Sequence, residues 1–342
     1  MIKPGRLKPG DKAMIVSLSS GSLGEEKYIH KFDLAVKHLS EYGVTVSAAP
    51  NALRGKKYLY DHPEARAYDL MCAFSDPDVK AVFCAIGGDD TVRLLPYIDF
   101  GILSGNPKIF TGFSDTTVNH FMMQRAGLVS YYGANVMCDL AEYGGLNPYF
   151  KTSFENTLID PLPELDIPCS DFCAYECDKM RWGVENADKK PRLRKNTGYE
   201  ILQGKGKVRG RLLGGCAEVF MTLSFTELWR CVDWAGKLLL VETSEEDLPP
   251  DHLLWILRGM AADGVFDKIN GVVVGKPDYE DKYDPYKMVW KTALNEAGRP
   301  ELPVLYNVNV GHAYPIGVFP LSLEYEIDCD KKTLTLLEPA TE

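Results

Sequence analysis

Lys108-Ile109-Phe110-Thr111-Gly112-Phe113-Ser114-Asp115-Thr116-Thr117 reads as a buried strand that runs into a sharp turn and then a helix. The apolar, β-prone run stops at Gly112, and Ser114 follows within two residues. Val118, Phe121, Met122 and Arg125 then recur at helical spacing, with Gly127 just past the end. A serine on such a turn is pushed out of the sheet. Its hydroxyl is exposed, and the free N–H groups of the helix start point at whatever binds there. Ser114 is therefore a candidate nucleophile.

Working outward, strands and helices alternate through the first half. Lys12–Ser17, Val44–Ser47, Val79–Ile86, the Ile109 run and Leu128–Tyr131 read as strands. Helices are expected over about Glu25–Tyr42, Pro63–Ser75 and Thr91–Leu95 and after Ser114. This alternation predicts a parallel sheet covered on both faces, with its site at the carboxyl ends of the strands. Gly87-Gly88 and Ser114 both fall at such ends. Pro161, Pro163 and Pro168 mark a linker, and the polar stretch from about Ser170 to Asn196 a functional or mobile loop. It carries Trp182 and the basic run Lys189–Lys195, which either faces an anionic group or is solvated. After Gly204 strands dominate, and Leu321–Leu337 reads as antiparallel. The expected organisation is an N-terminal α/β domain over 1–160, a linker and substrate loop over 161–203, and a β-rich domain over 204–342.

Composition narrows the function. The 342 residues are long enough for two cored domains. The net charge of −10 argues against nucleic acid as a partner, because a phosphate backbone needs a basic face. No apolar run reaches the ~20 residues of a membrane span, and the start Met1-Ile2-Lys3-Pro4-Gly5 lacks the apolar core of a signal peptide, so a cytoplasmic location is expected. The nine cysteines are scattered. Cys169, Cys173 and Cys177 are spaced by four, which fits neither a zinc knuckle nor a common iron–sulfur motif, so reduced thiols and no metal are expected.

A serine needs a base, and the base needs an orienting partner. His30 and His38 lie on the first helix, His62 and His252 at helix starts, and His120 on the Ser114 helix but turned away. His312 differs, following an apolar strand and Gly311 at a strand end. Glu242 ends the aliphatic strand Leu238–Val241, where an unpaired carboxylate would be costly. A histidine N–H would satisfy it and set the tautomer. Glu245 and Glu246 read as solvated, and Asp247 as a helix cap. Backbone N–H groups of Asp115 and of Gly88 or Asp89 are candidates for an oxyanion hole. No glycine-rich nucleotide fingerprint is present, so no cofactor is expected. The order Ser, Glu, His is that of α/β-hydrolases, but Gly112-Phe113-Ser114-Asp115-Thr116 lacks the second glycine of their elbow.

Taken together, Ala85-Ile86-Gly87-Gly88, Gly112–Thr117, Gly210–Gly215, Leu239–Glu242 and Gly311-His312 resemble the LD-carboxypeptidase family of serine peptidases. The resemblance implies Ser114 as nucleophile, Glu242 as orienting acid and His312 as general base. It implies a flavodoxin-like N-terminal sheet, a C-terminal β-rich domain with the site between them, a homodimer and no metal. Two branches are open: murein tetrapeptide trimming, and a microcin C immunity-like branch that cuts an amide between an aspartyl residue and a nucleotide-like moiety. The loop before Gly204 favours the latter, with Trp182 against Phe172 or Tyr175 as base-stacking aromatics. A degenerate member that only binds a peptide or nucleotide is the third reading.

Overall fold

The computed structural model describes residues Met1–Glu342. Five parallel strands, β1 (Lys12–Val16), β2 (Thr45–Ala48), β3 (Val79–Cys84), β4 (Ile109–Gly112) and β5 (Ser130–Tyr132), lie in the order β2-β1-β3-β4-β5. That is the flavodoxin-like order, in which the strand order reverses between β1 and β3 and a ligand crevice opens at the strands' carboxyl ends. The helices connecting them include Pro63–Ser75, with proline at its first position, where no N–H is needed. The helix expected over Thr91–Leu95 is a 3₁₀ helix that runs on to Tyr97 and contains Pro96. Its ring removes a backbone donor and disfavours a regular α turn.

The second sheet starts inside the expected linker. β6 (Leu165–Ile167) forms its edge, and β7 (Phe172–Cys173) and β8 (Arg194–Lys195) make a separate hairpin in the polar loop. β9 (Glu200–Gln203), β10 (Lys207–Cys216), β11 (Leu238–Glu242), β12 (Gly271–Gly275) and β13 (Val304–Val308) follow. β14 (Phe319–Leu321) crosses back to pair antiparallel with β5, Phe319 opposite Tyr132. β15 (Glu324–Asp328) and β16 (Thr333–Leu336) complete the order β6-β16-β15-β10-β11-β12-β13-β9. β10 to β13 run parallel, and β11 and β12 are near-continuous aliphatic segments buried on both faces.

The helix after Ser114, Thr117–Arg125, is buried from Thr117 through Met123. Residues on all its faces are buried, so it lies between the two sheets rather than on the surface. Phe121 stacks on Trp229 at 5.8 Å and meets Phe220 edge-on at 6.5 Å. Burying a phenylalanine contributes about 1.5–3 kcal/mol, so these contacts hold the Ser114 helix against the helices Ala217–Leu223 and Glu227–Arg230 that follow β10.

Candidate active site

Ser114 leaves β4 through one 3₁₀ turn, Ser114–Thr116, at φ 65°. A non-glycine residue there costs about 1–3 kcal/mol and persists only when its neighbours hold it. Its N–H donates to the Tyr132 hydroxyl at 3.2 Å, and its carbonyl accepts from the Thr117 hydroxyl at 2.6 Å. Gly87, three residues beyond β3, lies under the serine: a Cβ there would meet Ser114 Cβ at 2.6 Å and Oγ at 2.8 Å. His120 is turned away from Ser114 as expected, and braces the turn from beneath. Burial pushes it down to about 4, so it is neutral at pH 7. Nε2–H donates to the Gly112 carbonyl at 2.9 Å, which leaves Nδ1 to accept from the Ser130 hydroxyl at 2.8 Å.

Glu242 ends β11 at 1% exposure. Oε1 accepts from the Tyr132 hydroxyl at 2.6 Å. Oε2 accepts from His312 Nδ1 at 2.7 Å and from the His312 backbone N–H at 3.1 Å. Three donors thus satisfy a carboxylate that would otherwise be too costly to bury. Gly311 makes room: at φ 74°, a Cβ on it would lie 2.1 Å from Glu242 Cδ. Tyr132 is the hinge of the arrangement. It accepts from the Ser114 N–H of the first sheet and donates to Glu242 of the second. Sequence reasoning missed it; its only signal was the polar ring ending an apolar strand.

His312 Nδ1 carries its hydrogen toward Glu242, so Nε2 is the atom available for base work. Glu245 is exposed, as expected, but it is not merely solvated: its Oε2 lies 3.0 Å from His312 Nε2. Burial pulls His312 down, but the Glu242 and Glu245 carboxylates outweigh it and hold the imidazole well above 6.5. The hydrogen bond from His312 in turn pulls Glu245 to about 2. With Nε2 engaged by Glu245, Ser114 Oγ makes no hydrogen bond to it. His312 nonetheless packs on the Ser114 turn, its ring edge-on to Phe113 at 5.2 Å. Asp247 does not cap the following helix. It pairs with Lys282 at 2.6 Å, and Pro249 occupies the cap position.

A cavity of about 670 Å³ opens over these groups, lined by Ser114, His312, Gly87, Gly88 and Asp89. The Asp115 carboxylate is tied down by the Ser19 hydroxyl at 2.5 Å and the Thr91 N–H at 2.8 Å. Its backbone nitrogen lies on the Gly87 side of the turn, 3.3 Å from where a Cβ on Gly87 would sit. The loops after β1 and β3 are held by Arg66. This fully buried guanidinium reaches Asp90 at 2.6 Å and the Leu18 and Ser19 carbonyls at 3.2 Å each.

Trp182 lines the cavity and meets the Tyr28 ring edge-on at 6.0 Å. The expected partners Phe172 and Tyr175 do not. Phe172 is 52% exposed on the outer hairpin. The Tyr175 hydroxyl accepts from Lys276 at 3.1 Å, and its ring lies 4.3 Å from the Lys276 ammonium. Tyr28, Tyr143 and Tyr314 are the cavity's tyrosines instead. Of the basic run, Lys189 and Lys190 face the cavity, whereas Arg194 turns to Asp178 and Glu280.

All nine cysteines are free. Cys177 is exposed, Cys173 is buried, and the half-buried Cys169 accepts from Asn196 at 3.1 Å. Cys216, Glu242 and His312 do bring potential metal-ligand atoms within 4.8 Å of one another. Glu242 and His312, however, spend those atoms on each other. Burial pushes the Cys216 thiol well up, away from the thiolate that binds metal.

Two family models match this chain: the LD-carboxypeptidase N-terminal domain over residues 14–133 and the LD-carboxypeptidase C-terminal domain over 209–327. An MccF-like protein from Streptococcus pneumoniae, solved in complex with AMP, superposes with a TM-score of 0.86 at 35% identity, covering 95% of this chain and 98% of that one. The microcin C7 self-immunity protein MccF of Escherichia coli is 26% identical over 286 residues, 80% of this chain and 78% of its own. A probable murein peptide carboxypeptidase of Bacillus subtilis is 26% identical over 350 residues, covering 98% and 94%.

Proposed function

This chain belongs to the LD-carboxypeptidase family, and from that premise we propose that it is a serine hydrolase of the microcin C immunity-like branch, cutting the amide between an aspartyl or similar aminoacyl group and a nucleotide-like moiety. The observation that carries this reading is that Ser114 and the Glu242–His312 pair, delivered from different sheets, line or underlie one cavity. The nucleotide-like leaving group is supported by Trp182 and Tyr28 at the cavity wall, and by the AMP in the Streptococcus pneumoniae relative. Base–aromatic stacking is worth roughly 1–3 kcal/mol.

In this reading Glu245 first leaves His312 Nε2, and the imidazolium gives up its Nε2 proton to solvent, leaving the neutral ring with its hydrogen on Nδ1. Nε2 then takes the proton of the Ser114 hydroxyl as Oγ attacks the acyl carbon. The oxyanion is received by backbone N–H groups of Asp115 and of Gly88 or Asp89. Collapse breaks the C–N bond, and the leaving nitrogen takes the proton back from His312. Water, deprotonated by the same nitrogen, then hydrolyses the acyl-serine ester. Glu242 holds the tautomer and the imidazolium throughout.

Replacing Ser114 with alanine is expected to abolish hydrolysis while the folded far-ultraviolet signal persists; retained turnover would refute the assignment. Aspartyl- and lysyl-sulfamoyl-adenosine and a murein tetrapeptide assayed side by side decide the branch. Turnover of the peptide alone would place the chain with the wall-trimming enzymes.

A further inference from the structure

Five side chains keep buried polar atoms with no hydrogen-bond partner, and two of them, Asn135 and Asp278, line the cavity. Asp278 is the more telling. It is 2% exposed, three residues beyond β12, and neither carboxylate oxygen is hydrogen-bonded. The Lys179 ammonium lies 2.5 Å from Oδ1, but not at hydrogen-bonding angles. It donates instead to the His312 carbonyl at 2.5 Å. A buried carboxylate short of donors is costly, and the cost is removed when a ligand supplies them.

Glu245 is the second acceptor in this corner. It sits on His312 Nε2, the atom the chemistry needs, with a side chain 53% exposed on the loop after β11. The two carboxylates are carried by loops that are tied together. Tyr279, next to Asp278, donates its hydroxyl to the Glu245 carbonyl at 2.8 Å. Asp139 lies close enough to feel the His312 charge as well, and burial pushes it up to about 8. The opposite wall is basic and aromatic: Lys27 adjoins Tyr28, and Lys189 and Lys190 share the loop of Trp182. The end at the reacting groups therefore holds the Asp278 and Glu245 carboxylates against the one ammonium of Lys179, while the wall of Trp182 carries Lys27, Lys189 and Lys190 beside Glu176 and Glu185.

Building on the amide-hydrolase reading above, we propose that the acyl group accepted here bears a side-chain ammonium, received by the Asp278 and Glu245 carboxylates, rather than the aspartyl carboxylate. The ammonium supplies the donors that Asp278 lacks and gives Glu245 a new cationic partner. Without Glu245 beside it, His312 Nε2 gives up its proton to solvent and turns to Ser114, so binding the correct charge also arms the base. An aspartyl side chain would instead bring another carboxylate into a corner that already holds Glu245 and Asp278.

The test compares lysyl-, alanyl- and aspartyl-sulfamoyl-adenosine. It uses kcat/KM with the wild type and Kd by calorimetry with Ser114→Ala, repeated in Glu245→Gln and Asp278→Asn backgrounds. The lysyl compound should exceed the aspartyl one by at least tenfold in both measures, and each substitution should shrink that ratio at least threefold. An aspartyl compound equal or superior in the wild type overturns the proposal, as does a ratio that survives both substitutions. If only wall peptides are cleaved, the nucleotide reading fails on its own. The charge preference is then read from tetrapeptides carrying lysine or Nε-acetyl-lysine at the third position, where equal rates overturn it. Failure of every lysyl ligand to bind or react overturns it too.

Discussion

Gly87→Ala probes the proposed nucleophile, Ser114, without replacing a reacting group. The added methyl would lie 2.6 Å from Ser114 Cβ and 2.8 Å from its Oγ, against the ~3.5–4.0 Å of ordinary carbon contact. Gly87 is buried three residues beyond β3, and its Cβ direction points straight at Ser114. Ser114 is the member of the contact that must yield, by about 1 Å. Its backbone is already at φ 65° and is held by Tyr132 and Thr117, so the shift is taken up by moving Oγ away from His312. A displacement of that size costs about 10²-fold in rate, equivalent to about 2.7 kcal/mol of transition-state stabilisation. The assay is kcat/KM on aspartyl- and lysyl-sulfamoyl-adenosine, with the rate of labelling by a serine-reactive phosphonate as a substrate-independent readout. Both should fall together, while the Tm changes far less than a 10²-fold loss would suggest if unfolding were its cause. Wild-type kcat/KM and labelling in a folded Gly87→Ala protein would refute the placement of Ser114 as the attacking group.

Because His312 is held above 6.5, the acid limb of kcat/KM should lie above that value, and Glu245→Gln should move it to lower pH; an unmoved limb would show that Glu245 does not face Nε2 in solution. The same group binds its proton more tightly folded than unfolded. Its contribution to stability is complete below about 6.5 and is lost as pH rises through the folded value, which urea titrations across that range would detect. Trp182→Ala should raise the Kd for AMP about 5- to 150-fold, the range of one stacked base, with little change in Tm; unchanged AMP binding would move the nucleotide elsewhere. Arg66→Met strips Asp90 of a buried partner, and because Asp90 is 21% exposed the cost should fall near the low end of ~3–5 kcal/mol in urea unfolding.

What the sequence determined by itself were the local features: hydrophobic periodicity, glycines at strand ends, and hence the residues standing at the carboxyl edges of two sheets. Ser114, Glu242 and His312 were legible because each ends or follows an apolar strand, and strand ends are set by neighbours close in sequence. The parallel order of the first sheet followed from alternating strands and helices in the same way. Tertiary structure alone decided everything that depends on side chains distant in sequence meeting. Tyr132 joins Ser114 to Glu242, which lies 110 residues beyond the tyrosine, and β14 returns to the first sheet after the second is nearly complete. Phe172 and Tyr175 face outward or toward Lys276 because the short β7–β8 hairpin, not aromatic content, sets their direction. Glu245 looked like one more solvated acid in an exposed run. Only the approach of the Gly311-His312 loop gives it an imidazole to hold, because an ion pair forms where the fold brings opposite charges together, and composition carries no record of that distance.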